Sequence, residues 1–499
     1  MKEPEAPQRY DVAIVGLGPT GATLANLLGL CGLSVVAFDR FDAPYPLPRA
    51  VHFDDEVMRS LQTIGVADEI ASNLRVNVGM RFVDDTGELL LDWPRPQEIG
   101  PHGWHASYRF HQPDLERTLR KALGRFAGVD LMTGREVRQV TERGDHVVIE
   151  HTGSDDMAAE QASAAYVVGC DGANSLVRRT MDVGETDLGF NERWLVVDLL
   201  LDRPKPELGD HTIQYCSAER PATYARGPAN RRRFEFALSR DEDADAMSRP
   251  ETVWRLLQRW LAPDEARLER AAVYTFQSIV ADTWRAGRLM IAGDAAHRTP
   301  PFMGQGMCAG IRDAANLAWK LTLVARGRAP AALLDSYGAE RRPHALEYVA
   351  TAMRLGRLVN ASGGGQALEA AFAGPDGAPR MQSIAPRLGP GLGGGDRTLT
   401  GTLFPQPRLA DGGRLDDRTG YRFVLVVDGA FWRRAPTDIR ARAGKSDLRI
   451  VDADDHHELA AWLEAHDTRA VLVRPDRYIL GTAGGTDQLG ELLSAVPAV

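Results

Sequence analysis

The feature that most restricts this chain is a glycine cluster near its start, Gly16-Leu17-Gly18-Pro19-Thr20-Gly21. Tyr10 to Val15 before it is short, apolar and β-branched, as a buried strand requires, and Gly21 to Leu30 after it suits a helix packed against that strand. A second apolar run, Leu33 to Phe38, ends at Asp39. The resulting β-α-β unit opens a parallel sheet with helices on its faces. In this spacing the first glycine permits the tight turn, the second lets backbone approach a pyrophosphate, and the third lets helix and strand pack closely. The helix N-terminus then offers free N–H groups and a dipole to the phosphates. Asp39, about 20 residues on, is placed to accept hydrogen bonds from ribose hydroxyls. Such a site takes NAD or FAD. The segment after Asp39, PYPLPRAVHFDDEVM, does not begin the strand-helix alternation of a second mononucleotide half.

A chain of 499 residues with 44% hydrophobic content exceeds one core, so two or three domains are expected. MRFVDDTGELLLDW reads as a hairpin turning at Asp85-Thr86-Gly87, and His111 to Phe126 as a helix with Leu115, Leu119 and Leu123 on one face. Residues 190 to 240 alternate in the manner of an antiparallel sheet able to wall off a pocket. Leu289 to Ala292 reads as a buried strand and Gly310 to Ala325 as a long helix. Residues 362 to 396 have the Gly, Pro and Ala content of a connector. Strands at 422–427, 448–451 and 470–473, with helices at 457–464 and 488–496, make a small α/β unit beyond it.

The net charge of −9 argues against a nucleic-acid partner, and Arg231-Arg232-Arg233 reads as a solvated hairpin end. The four cysteines lack metal or CxxC spacing and suit a reducing compartment. Asp452 to Glu458 contains ligand-type residues but closes a strand and opens a helix, so it reads as acidic N-capping and no metal is expected. Asp11, the early glycines and Pro19 interrupt the apolar N-terminal stretch, so no targeting or membrane segment is expected and the chain is placed in the cytoplasm.

Three stretches together resemble the class A flavoprotein aromatic hydroxylases, the family of para-hydroxybenzoate hydroxylase and phenol hydroxylase: GLGPTG with Asp39, Val168 to Arg178 (VGCDGANSLVR), and Gly293 to Gly306 (GDAAHRTPPFMGQG). Pro48 to Glu56, Phe110 to Pro113 and Pro300 to Met307 are similar to the 3-(3-hydroxyphenyl)propionate hydroxylase and phenol hydroxylase-like group. Met303 stands where many relatives carry glycine. The resemblance implies an α/β architecture in three parts. Residues 1–80, 100–185 and 275–345 would form a Rossmann-like FAD-binding domain of the para-hydroxybenzoate hydroxylase type. Residues 81–99 and 186–274 would form a mostly antiparallel substrate-domain sheet. Residues 346–396 would be a helical, glycine-rich connector, and 397–499 a thioredoxin-like domain. That last domain has no cysteine for dithiol chemistry, which leaves packing or homodimerisation as its use.

The same resemblance implies site roles. Gly16, Gly18, Pro19, Thr20, Gly21, Asp39 and Arg40 would hold the adenosine end of non-covalent FAD. Arg49 and Gln112 would lie along its phosphates and ribityl chain, with Asp171 in the motif that serves FAD and nicotinamide. Asp294 would hold a ribityl hydroxyl, Pro301 would sit beside the reactive ring edge, and Gly304, Gln305, Gly306 and Met307 would present backbone N–H groups to the ring. NAD(P)H would reduce FAD as a transient co-substrate, O2 would add at flavin C4a, and the hydroperoxide would transfer OH to a phenol, ortho to its hydroxyl, on a 3-hydroxyphenyl alkanoate-like substrate. His52 is the candidate proton acceptor, and His52, Tyr215 and Tyr224 are candidate substrate contacts. His297 reads as structural. A polyketide-tailoring hydroxylase, a Baeyer-Villiger oxygenase and a non-catalytic flavin-binding module are the alternatives.

Overall fold

The computed structural model describes residues 9–153, 159–360, 381, 383–392 and 398–496, so part of the expected connector lies outside the described residues. Four parallel strand pairings build the first sheet. Arg9–Val15 lies between Glu160–Gly169 and Val35–Asp39, which are flanked by Leu289–Ile291 and Val129–Thr133. Arg135–Arg143 and His146–Gly153 extend it by antiparallel pairing. The inner strands are apolar and buried over Val12–Val15 and Val35–Phe38. Their order places Gly16, Asp39, Cys170 and Gly293 just past the carboxyl ends of neighbouring strands. Three motifs far apart in sequence therefore meet at one edge, where open α/β sheets bind ligands.

The second sheet has eight strands, in the order 297–298, 266–281, 185–201, 231–238, 222–226, 212–215, 79–83 and 89–94. It is antiparallel except where Thr212–Tyr215 runs parallel to Gly79–Val83. The strand Ala266–Ala281 crosses the expected domain boundary at residue 275 without a break. A short third sheet pairs His52–Asp54 and Arg75–Val76 with Ser107–Arg109 and sits between the two larger ones.

In the C-terminal unit Phe423–Val427 pairs in parallel with Leu448–Asp452 and antiparallel with Ala470–Val473, which pairs with Ile479–Ala483. Phe423, Leu425 and Val427 enter one core and Val424 and Val426 another, the alternation expected of a strand covered on both sides. The strand Ile479–Ala483 and the helices Gly429–Arg434 and Thr437–Gly444 were not foreseen. This unit is bound to the rest by fully buried charges. Glu340, on the helix Asp335–Asn360, accepts from Lys320 Nζ at 2.7 Å and from both Arg474 terminal nitrogens at 2.9 Å. Arg474 also pairs with Asp476 at 2.5 Å. Burial alone would raise the Glu340 pKa, but Arg474 and Lys320 hold it well below the usual carboxylate range. Arg59 adds a two-pronged pair to Asp416, at 2.8 and 3.0 Å.

Candidate active site

The glycine turns are close-packed against one another. Gly16 has φ +97°, and a Cβ there would lie 2.7 Å from the Cys170 carbonyl carbon. A Cβ on Gly21 would strike the Gly16 carbonyl oxygen. Gly293 has φ +63° and leaves room for Thr20, whose Oγ1 would be 2.7 Å from an added Cβ. Thr20 also fills the space beside Gly310, so the early and late glycine stretches touch through one side chain. A Cβ on Gly18 would meet only the Arg49 guanidinium, at 4.0 Å. This glycine begins the helix Pro19–Leu30 without a side-chain cap, which leaves the first N–H groups for a ligand.

From Gly18, Pro19 and Thr20 a cavity of about 480 Å³ runs past Arg49, Gln112 and Asp294 to Pro301–Gly304, Gly306 and Met307. It continues into an inner chamber walled by Trp93, Arg95, Arg109 and the second sheet. The helix Gly306–Ala325 starts on this cavity, again without a side-chain cap. A glycine-lined turn, two helix N-termini and an exposed carboxylate at Asp294 along one channel fit FAD, with pyrophosphate at Gly18 and the ring near Gly306.

Several expected residues have their side chains engaged within the protein. Gln112 Oε1 accepts from the backbone N–H groups of Arg49 (3.0 Å) and Ala50 (2.6 Å), so its side chain shapes the Arg49 segment. Asp39 is taken by Leu17 N–H and by Arg120, at 3.1 and 2.7 Å. Asp171 Oδ2 accepts from Leu176 N–H at 2.7 Å and caps a helix. Arg178 donates to Ala173 and Ala295 carbonyls and ties the middle motif to the late one. The Gln305 side chain turns away from the cavity toward Asp54 and Arg312, leaving only its backbone at the site.

Arg40, just past the end of the strand Val35–Asp39, is exposed with its guanidinium 4.9 Å from the Phe41 ring centroid. Two expected contacts are corrected. Tyr215 and Tyr224 lie on the far face of the substrate sheet. Thr212, Gln214, Thr223 and Glu235 face the cavity, so the residues between them face the other way. Tyr215 Oη accepts from Trp260 Nε1 at 2.9 Å, and Tyr224 Oη donates to the Gly209 carbonyl at 3.2 Å.

His52 does line the cavity, 5% exposed, with Nε2 2.7 Å from Ser107 Oγ and Nδ1 3.3 Å from the Gly304 carbonyl. Asn77 Nδ2 donates to Ser107 Oγ at 2.9 Å, which leaves the serine proton for Nε2 and the Nδ1 proton for Gly304. Burial, then Arg109 and Arg95, push the His52 pKa down to about 3. A neutral imidazole with its lone pair engaged is a poor base near neutral pH; it braces the turn at Gly304. Met303 has an ordinary negative φ and Gly304 takes the left-handed position at +64°, so the methionine needs no strain.

Sequence reasoning passed over Asp313. Fully buried, it accepts from Gly293 N–H at 3.0 Å, His297 Nε2 at 2.7 Å and Arg341 Nε at 2.9 Å. Burial would raise its pKa, but His297 and Arg341 more than offset that. A carboxylate among small apolar helix residues was the available signal. Arg95 and Arg109 in the inner wall were also missed.

A family profile described as "FAD binding domain" matches residues 9–352. The chain is 36% identical over 521 residues to the "Probable NADH-specific resorcinol 4-hydroxylase" of Rhodococcus jostii, covering 98% of this chain and 96% of that protein. The chain belongs to this family of FAD-dependent monooxygenases. A second relative, the "3-(3-hydroxy-phenyl)propionate/3-hydroxycinnamic acid hydroxylase" of Mycolicibacterium gilvum, is 35% identical over 513 residues, covering 94% of this chain and 88% of that protein. Residues 430–498 match a profile described as "HcaD C-terminal domain". In fold, the flavoprotein is similar to the flavin-dependent monooxygenase PieE in complex with FAD and substrate (TM-score 0.84, 22% identity, 98% of this chain and 99% of that one). OxyS anhydrotetracycline hydroxylase from Streptomyces rimosus gives a TM-score of 0.81 at 24% identity, over 99% of this chain and 100% of that one. Among the described residues of this flavoprotein, no helix is long and apolar enough to cross a membrane, and no cluster of three or more His, Cys, Asp or Glu could hold a metal ion.

Proposed function

We propose that this flavoprotein uses NAD(P)H and O2 to hydroxylate a phenolic ring, ortho to an existing hydroxyl, on a substrate of the 3-hydroxyphenyl-alkanoate type. The observation that carries the reading is continuity: the turn Pro301–Gly306, beside the expected flavin ring, lines the same cavity as residues of the second sheet. FAD, once reduced by the nicotinamide, supplies the activation of O2. The rest falls to this chain's residues. The helix start at Gly306 favours the negative charge of a reduced ring without a side-chain cation. Phe302 packs edge-on against Phe190 and Trp194, at 5.6 and 5.8 Å, and locks the turn to the substrate sheet. Met80 and Trp93 give the chamber an apolar wall that excludes water and receives an aromatic ring. The C-terminal unit, proposed as thioredoxin-like, serves packing.

The test is phenol-stimulated NAD(P)H oxidation by the purified holoenzyme, with product identification. Coupled formation of an ortho-hydroxylated product supports the reading. A broad phenol panel that leaves NAD(P)H oxidation unchanged in a protein that binds FAD would replace it with a non-catalytic flavin module.

A further inference from the structure

We infer that the inner chamber contains a carboxylate subsite whose principal ligand is Arg109, with Arg95 as the second charge. This rests on the hydroxylase reading and sharpens it, because it selects aryl alkanoates over neutral phenols.

The case begins with the guanidinium groups around the inner part of the cavity, Arg49 standing apart beside Gly18 at the other end. Arg233 donates to Asp198 at 2.7 Å, Arg270 pairs with the same carboxylate at 2.5 Å, and Arg298 pairs with Glu185 at 2.9 Å. Each of those three has a carboxylate partner within the protein. Arg109 is different. It is 9% exposed and lines the chamber, and among the described residues its hydrogen-bonding partner is the uncharged hydroxyl of Thr212, with no carboxylate within 4.0 Å. Burial, and then the like charge of Arg95, push its pKa down to about 10. Glu235, the carboxyl in the nearby wall, stands 3.7 Å from Arg233 instead, and burial raises its own pKa. Arg95 stacks 4.2 Å over the Trp93 ring and hydrogen-bonds Ser383 Oγ, and among the described residues it too has no ion pair.

Two like charges in one wall, Arg109 buried and Arg95 partly exposed, are unfavourable unless an anion arrives with the ligand. A guanidinium is matched in shape to a carboxylate, which it binds through two parallel N–H donors. The placement also fits. Arg109 is the cross-strand partner of His52, which touches the flavin-facing turn at Gly304. Thr212, to which it donates, pairs in register with Met80, and Met80 with Trp93. An aryl ring against Met80 and Trp93 would therefore project a short carboxylate-bearing chain to Arg109, with its ring reaching back toward Pro301. A free aryl alkanoate is favoured over the nicotinamide pyrophosphate, since so buried a side chain does not meet a visiting surface ligand.

The FAD-loaded protein is titrated with 3-phenylpropionate, which has the carboxylate but no phenol hydroxyl, and with its primary amide, following the flavin absorbance. NADH oxidation is measured in parallel with 3-(3-hydroxyphenyl)propionate and with resorcinol. The acid is expected to bind at least about 10-fold more tightly than the amide. Arg109→Met should raise Kd for the acid and KM for the phenolic acid on the order of 100-fold, as for other truncated charge pairs. The loss for resorcinol should be far smaller, Arg109→Lys should recover part of the affinity, and KM for NADH should be unmoved. Arg95→Met, a second variant at lower risk to folding, should raise the same acid Kd by about 10-fold. Equal binding of acid and amide to the wild type, equal losses for acid and resorcinol, or a rise confined to NADH each overturns the subsite. If Arg109-dependent acid binding is found but no phenol is hydroxylated, the subsite stands and the hydroxylase reading falls. If neutral phenols are hydroxylated and acid binding ignores Arg109, the reverse holds.

Discussion

The two halves of the cavity are made of different material. The end proposed for the flavin is built from backbone: Gly16, Gly18, Gly21, Gly293 and Gly304 shape turns, and the helix starts at residues 19 and 306 have no side-chain cap. The inner chamber is built from side chains, with arginines, Trp93 and Met80 projecting from strands of two sheets. Backbone recognition suits a cofactor that stays the same, because it tolerates no substitution and offers little variety. Side-chain recognition suits a substrate that differs between relatives, since each wall position can change without moving a turn.

Substitutions should separate the halves. Gly21→Val forces a branched side chain onto the Gly16 carbonyl, an overpacking on the order of 3 kcal/mol, and the purified protein should contain no flavin. Asp294→Ala removes one exposed carboxylate and no packing; FAD affinity, read by equilibrium dialysis, should fall on the order of 10-fold, the loss of about one hydrogen bond to a charged group. Unchanged occupancy would remove Asp294 from the site. His52→Gln tests the link between the halves, since its longer amide can still reach Ser107 from the Nε2 position but not Gly304 from the Nδ1 position. The flavin spectrum should shift, and kcat should fall without the pH profile of a lost base. At the small end, Tyr215→Phe and Tyr224→Phe on the far face should leave the KM for a phenol within about 3-fold, because each loses one peripheral hydrogen bond.

Acid provides another probe. Above about pH 6.5 the His52 ring is neutral in both folded and unfolded chains and contributes nothing to pH dependence. Below it the unfolded chain takes up a proton that the folded one, with its pKa near 3, refuses. Stability should therefore fall as pH drops from about 6.5 toward about 3, by at most about 1.4 kcal/mol per pH unit for this group. Burial depresses His344 in the same direction. Thermal midpoints across this range should drop less steeply in His52→Gln than in the wild type.

The division of materials also explains what could be read from the sequence. Glycine spacing carries its own geometry, so the flavin end was legible from GLGPTG and GDAAHRTPPFMGQG, and the alternation of residues 190 to 240 announced the substrate sheet. The inner wall was not legible. Whether Tyr215 or Gln214 faces the cavity depends on register and on which sheet face is covered, and a one-residue shift exchanges them. Arg109 was hidden for a related reason: nothing local in Ser107–Arg109 distinguishes an arginine that meets a ligand from one that meets a carboxylate.

The buried group around Glu340 bears on how this family can be recombined. Lys320 and Glu340 come from the part that holds the cofactor, while Arg474 and Asp476 come from the C-terminal unit; each half buries one cation and one carboxylate, and Glu340 accepts two of its hydrogen bonds from Arg474 across the boundary. A chimera that joins this cofactor-holding part to another protein's C-terminal unit inherits a lock and must be given its key. Grafts that bring an arginine and an aspartate to these positions should assemble, and grafts that bring neither should leave the buried Glu340 with Lys320 as its one remaining cation of this group.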